Sequence, residues 1–97
     1  MHVAAVSIEL HVPESRSLKA KRAALKPIVE GVRHRFRVSA AEVAHHDTWQ
    51  RAGIGVAAVA ATEGHLRDIL DEVERFVWSF PDVEVTRCER HWLEVDS

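Results

Sequence analysis

Hydrophobic and polar positions alternate from the start of the chain. Ala4, Val6, Ile8, Leu10 and Val12 fall on one side, with Ser7, Glu9 and His11 on the other, which is the period-two signature of a half-buried strand. Pro13 ends it, because proline cannot donate to a ladder. From residue 17 the period lengthens. Leu18, Leu25, Ile28, Val29, Val32 and Phe36 share one arc at 100° per residue, so the spacing predicts an amphipathic helix over residues 17–36, with Ser15 and Ser17 as available N-caps. Pro27 lies opposite that arc, where a kink would bend the helix around a sheet. Together with Gly31 it leaves two shorter helical pieces as an alternative. Residues 37–44 read as a second strand whose imperfect alternation calls for a bulge, followed by the polar connection His45-His46-Asp47-Thr48. Residues 49–61 read as a third strand, with Ile54, Val56 and Ala58 on one face and Gly53, Gly55 and Ala57 on the other. The two glycines predict close approach by another element or chain. Thr62 is placed to cap a second helix. Leu66, Ile69, Leu70, Val73, Phe76, Val77 and Phe80 then fall within about 120° of arc, Pro81 stops the helix, and residues 83–95 form a fourth strand.

The order β-α-β-β-α-β with two one-sided helices predicts an α+β fold, a ferredoxin-like βαββαβ sandwich whose antiparallel four-stranded sheet carries both helices on one face. The other sheet face, bearing Ser7, Glu9, Gly53 and Gly55, is left open for dimerisation or ligands. Ninety-seven residues suit a single domain spanning 1–97 that buries only about 60–65% of its unfolded surface, so a homodimer would add useful buried area. The chain is 46% hydrophobic and 29% charged, a globular rather than a disordered composition. The apolar run 53–61 is far too short to span a bilayer. No basic residue precedes the first apolar stretch, unlike a signal peptide. Cys88 is the lone cysteine, which removes a disulfide framework and a cysteine-based zinc site. The expectation is a cytoplasmic protein with no membrane partner and no cofactor.

The net charge of −2 conceals a strong asymmetry. Eight of the thirteen Lys and Arg residues lie between positions 16 and 37 against one acid, Glu30, whereas from residue 62 onward ten acids face four arginines. Lys19, Arg22, Lys26 and Arg33 fall within about 60° on the helical wheel, making a stripe beside the apolar arc, with Arg16 before it and Arg37 after it. Such a row matches phosphates along a nucleic-acid strand. Alternatively it is a solvated face whose alkyl stems cover core edges, offset by the acids of the second helix, or a dock for an acidic protein. With seven histidines and an ordinary imidazole pKa near 6.5, the domain turns net positive below about pH 6, which would strengthen nucleic-acid binding.

Other residues carry competing readings. His45, His46 and Asp47 have the chemistry to hold Zn²⁺ or Ni²⁺, but adjacent extended residues point apart, so a turn capped by Asp47 and anchored by Trp49 is favoured. Trp49, Gln50 and Arg51 form a stacking and hydrogen-bonding surface for RNA bases or for a dimer partner. Glu9, with Glu42 as the one obvious second acid on a neighbouring strand, is the start of a metal-dependent nuclease site, although a lone Glu cannot hold Mg²⁺. No phosphate loop, nucleophile elbow or paired Cys/His motif is present. Trp78 projects from the polar side of the second helix as a candidate interface residue. Trp92 is expected to pack in the core, and Cys88 to be a small buried residue.

The run Ser17-Leu18-Lys19-Ala20-Lys21-Arg22, then Phe36-Arg37-Val38-Ser39 leading into Ala41-Glu42-Val43, then Asp47-Thr48-Trp49-Gln50-Arg51-Ala52 and Gly55-Val56-Ala57, resembles the YlxP-like family of small bacterial proteins, domain of unknown function 503, over roughly residues 1–90. His46 stands where that family would lead one to expect an uncharged polar residue, and residues 91–97 match none of its motifs. The resemblance implies a ferredoxin-like fold, a homodimer, and an association with RNA or the ribosomal subunit, because such proteins are often encoded beside factors for translation initiation and ribosome maturation. The resulting expectation is a non-enzymatic RNA- or ribosome-associated homodimer binding phosphates through Arg16, Lys19, Arg22, Lys26, Arg33 and Arg37, with base contacts from Trp49, Gln50 and Arg51. The alternatives are a protein–protein adaptor using the open sheet and Trp78, and the nuclease.

Overall fold

In the computed structural model, residues 1–95 are described; Asp96 and Ser97, the end of the expected 1–97 domain, lie outside the described residues. The elements run β1 (His2–His11), α1 (Leu18–Phe36), β2 (Ser39–Ala44), β3 (Arg51–Ala60), α2 (Glu63–Trp78) and β4 (Glu84–Glu94). The strands assemble in the order β2-β3-β1-β4, every neighbouring pair antiparallel. This is the ferredoxin-like arrangement that the alternation and the two helical arcs predict.

The core follows directly from the pattern. Ala4, Val6, Ile8 and Leu10 of β1 and Ala52, Ile54, Val56 and Ala58 of β3 are buried, and they meet Leu25, Ile28 and Val32 of α1 and Leu66, Leu70, Val73 and Val77 of α2. Ser17 caps α1, its Oγ accepting from the Ala20 N–H at 3.0 Å, and Thr62 caps α2 by accepting from the His65 N–H at 3.2 Å. Helix α1 continues through Pro27 as one element, so the alternative of two pieces does not hold: the proline is exposed on the solvent side, and the buried face continues past it.

Two boundaries move. Residue 37 does not open the second strand; Arg37 is left-handed, with φ 54°, and its N–H bonds the Arg33 carbonyl at 3.1 Å to close α1. Strand β3 starts at Arg51 rather than at residue 49, because Trp49 and Gln50 belong to the preceding turn. The bulge expected in β2 falls between Glu42 and Ala44. It also accounts for the glycines. A Cβ on Gly53 would stand 2.7 Å from Ala44 Cβ, and one on Gly55 would stand 3.1 Å from Val43 Cγ1, so the close neighbour is the bulged strand β2.

Candidate functional site

The flank of α1 that carries the basic stripe is fixed by two contacts. Gly31 lies against the Phe76 ring of α2, whereas Arg33 Nε donates to the Ala40 carbonyl of β2 at 2.8 Å. The stripe therefore lies on the β2 side of α1, away from α2. Arg16, Lys19, Arg22, Lys26, Arg33 and Arg37 are all exposed, and none of them forms an ion pair among the described residues.

The cations after residue 62 are used differently. Arg67 bridges to Glu63 at 2.6 Å, Arg87 pairs with Glu89, and Arg90 meets Asp71 at 2.7 Å and Glu74 at 2.5 Å. Burial opposes the Arg90 charge, but those two carboxylates outweigh it and push its pKa up. Thus three of the four arginines in the acidic half are neutralised locally by α2 or β4, while the α1 row has no carboxylate partner among the described residues. The offset of the stripe by α2 acids, one of the readings of the sequence, is not formed.

Periodicity does not single out one residue of the same helix that proves central. Lys21 is completely buried, as the only fully enclosed charged side chain among the described residues. Its Nζ donates to the His45 carbonyl at 2.7 Å and the Arg51 carbonyl at 3.1 Å, and lies 3.0 Å from Glu42 Oε2. That carboxylate oxygen is buried without an aligned hydrogen bond, so the contact with Glu42 is chiefly electrostatic. The ammonium ties the first turn of α1 to both ends of the β2–β3 connection. On a wheel it stands between Leu25 and Ile28, inside the apolar arc; a charge at that position is the sequence signal for it.

The β2–β3 connection is pinned from the other side as well. Gln50 receives a hydrogen bond at its carbonyl from the Val12 N–H at 2.8 Å, and its side-chain amide donates to the Pro13 and Ser15 carbonyls at 3.1 and 3.2 Å. The Gln50 amide is thus committed to the loop before α1 rather than displayed for base contacts. Trp49 is 55% exposed beside it. Arg51 turns to the open face, where its Nη2 lies 3.3 Å from His45 Nε2.

The two imidazoles proposed with Asp47 as metal ligands turn to different partners. His45, in the left-handed region at φ 63°, sends its Nε2 to Glu9 Oε2 at 2.9 Å on the open face; His46 Nε2 instead meets the Glu42 carbonyl at 3.2 Å. No cluster of three or more His, Cys, Asp or Glu side chains suited to a metal occurs among the described residues. Glu9 and Glu42 do not converge either. Glu9 pairs in register with Gly53 on the open face, and Glu42 pairs with Ile54 and points toward α1. The two-carboxylate site that a nuclease reading requires is not formed.

The open face divides in two. Near its lower end sit Glu9, His45, Arg51 and His11, the last paired with Glu84 at 3.3 Å. The other end is apolar, with Val3 in register with Val59 and Leu93, the latter two about 60% exposed. Between them Ala5, Ser7, Ala41, Gly55 and Ala57 floor a shallow depression of about 390 Å³. Trp78 is exposed, as its polar-side position predicts. Trp92 is not in the core: it aligns with Ala4 but lies on the edge strand, 45% exposed, and is covered by Arg67 with its guanidinium 5.8 Å from the ring centroid. Cys88 is half-buried against the core, where burial, followed by the neighbouring Glu74, pushes its pKa up to about 11. No helix is long and apolar enough to cross a membrane among the described residues.

The chain is 39% identical over 85 residues to "Uncharacterized protein YlxP" of Bacillus subtilis (strain 168), an alignment taking in 88% of this chain and 92% of that protein. Residues 3–90 match the pattern of the family described as "Protein of unknown function (DUF503)", as the motifs from Ser17 to Ala57 imply, and the chain belongs to that family.

Proposed function

We propose that the protein is a non-enzymatic, homodimeric, cytoplasmic domain that binds RNA, including RNA of the ribosomal subunit, through the α1 flank facing β2. The observation that carries this reading is the contrast in charge pairing. Six cations from Arg16 to Arg37 stand exposed without a carboxylate partner among the described residues, while Arg67, Arg87 and Arg90 are paired. Unpaired, aligned cations keep a strong local potential and gain most from meeting phosphates, since each contact releases condensed counterions. A second copy covers the apolar end of the open sheet, where Val3, Val59 and Leu93 form a row and the small residues beside them permit close approach.

Fluorescence anisotropy with small-subunit ribosomal RNA fragments tests the RNA claim. Replacing Lys19 and Arg22 by Ala weakens binding severalfold at moderate salt, and unchanged affinity removes the stripe from the account. Light scattering tests the dimer. The wild type elutes at twice the monomer mass and Val59→Asp shifts it toward monomer; a wild-type monomer at all concentrations refutes that part. The exposure of Trp78, 62%, favours one rival, a protein–protein adaptor. That rival predicts partner capture lost in Trp78→Ala together with no RNA binding by the wild type.

A further inference from the structure

Trp49 is a large aromatic side chain held in solvent by a loop that is not loose. On one flank the Lys21 ammonium grips the carbonyls of His45 and Arg51. On the other, Gln50 is bonded through backbone and side chain to the segment before α1. Within the turn, the Thr48 N–H bonds the His45 carbonyl at 3.1 Å. No aromatic ring or cation stacks on Trp49 among the described residues, in contrast to Trp92 beneath Arg67. The residue is 55% exposed and its backbone is held by these bonds, so a planar partner would stack on the exposed part of the ring with little further loss of conformational entropy.

The platform is continuous with the cation row. Gln50 is tied to the Pro13 and Ser15 carbonyls, and the chain passes from Ser15 through Arg16 into α1, where Lys19 and Arg22 lie in the first two turns. From Lys19 to Arg33 the row extends roughly 21 Å along the helix. An aromatic plate at the end of a track of cations is the combination that holds a single strand, because unpaired bases expose their faces and the backbone follows the charges. A duplex offers the same phosphates but hides its base faces within its own stack, so Trp49 would contribute nothing there. The chemistry also speaks against reading of base identity. The Gln50 amide, the hydrogen-bonding group next to the ring, is already engaged, and stacking alone tolerates every base.

We infer that the ligand of the α1 flank is unpaired RNA of loosely specified sequence, with Trp49 stacking on a base at the end of a strand whose phosphates run along Arg16, Lys19, Arg22 and Lys26. This rests on the phosphate-binding reading above.

The test is anisotropy titration of the full chain with a labelled single strand of about 12 nucleotides and with the same strand in a duplex. Wild type, Trp49→Ala, Trp49→Phe and the Lys19→Ala/Arg22→Ala double variant are compared. The wild type favours the single strand. Trp49→Ala loses roughly fivefold to a hundredfold for the single strand and little for the duplex, and Trp49→Phe recovers most of that loss. If Trp49→Ala binds the single strand as tightly as wild type while the double variant is weakened, stacking is overturned and the phosphate track stands. If the wild type binds neither RNA, both fall. Equal loss on single strand and duplex in Trp49→Ala also overturns the inference, because it marks the ring as a structural support of the surface.

Discussion

Replacing Lys21 by Met isolates the buried ammonium at nearly constant side-chain volume. Methionine fills the same slot between Leu25 and Ile28 but supplies no charge and no donor. The carbonyls of His45 and Arg51 lose hydrogen bonds of 2.7 and 3.1 Å. Glu42, with only 18% of its side chain exposed, keeps a carboxylate with no counter-ion. Removing one member of a buried ion pair costs about 3–5 kcal/mol, since the survivor's desolvation is no longer offset. A domain of this length has a total stability of about 5–15 kcal/mol, so Lys21→Met leaves the fold marginal, with a thermal midpoint lowered on the order of 15–30 °C. Glu42→Gln leaves the fully buried Lys21 ammonium without its counter-ion, so it too costs about 3–5 kcal/mol, toward the lower end because Lys21 retains both carbonyls. The double variant is then less destabilised than the sum of the two single changes, by about 1–3 kcal/mol. Urea unfolding followed by far-ultraviolet circular dichroism measures all four corners of the cycle. A loss below about 1 kcal/mol in Lys21→Met, or strict additivity in the double variant, would refute the assignment of Lys21 as the tie between α1 and the β2–β3 connection.

Further outcomes follow from the same contacts. Gly53→Ala brings a Cβ to 2.7 Å from Ala44 Cβ and costs about 1–3 kcal/mol by overpacking; adding Ala44→Gly restores most of it in urea titrations, and no recovery would place the clash elsewhere. Cys88 titrates near pH 11 instead of 9.0, so the native thiol reacts with iodoacetamide at pH 9 more than tenfold slower than the unfolded chain, since the thiolate is the nucleophile. Glu74→Gln removes one of the groups that raise that pKa and speeds the reaction. The raised folded pKa also makes the Cys88 contribution to stability complete below pH 9 and progressively lost between pH 9 and about 11; stability independent of pH across that window in a comparison with Cys88→Ala would contradict it.

The elements with a clear period, β1 and α2 above all, are legible in the sequence. Strand β1 alternates between apolar and polar residues from Val6 to Leu10, and the α2 arc from Leu66 to Val77 becomes the buried face almost residue for residue. What periodicity cannot register is a polar group whose partners are distant in the chain. Lys21 lies on the buried face of α1 because Glu42 and two loop carbonyls wait 21 to 30 residues away, and a wheel shows only that a charge interrupts an apolar arc. The same blindness sets Glu9 and Glu42 together as acids on neighbouring strands, although β3 lies between β1 and β2 and the register puts them on opposite faces. Arg37 reads as strand in the sequence because its left-handed turn has no glycine to announce it. Hydrophobicity alone points Trp92 to the core, but on the edge strand its ring stays 45% exposed, with the Arg67 guanidinium over it. The basic stripe itself was legible. Its isolation from the acids of α2 was not, because that depends on which flank of α1 meets β2.

The most direct test of the central claim is the salt dependence of binding to a small-subunit ribosomal RNA fragment, measured by anisotropy for the wild type and for Lys19→Ala/Arg22→Ala. The account predicts submicromolar binding at low salt and a log–log slope of about −3 or steeper, which becomes shallower by about 1–2 in the double variant as two phosphate contacts are lost. Weak binding that vanishes near physiological salt, or the same slope in both proteins, would contradict it and leave the α1 cations as a solvated face.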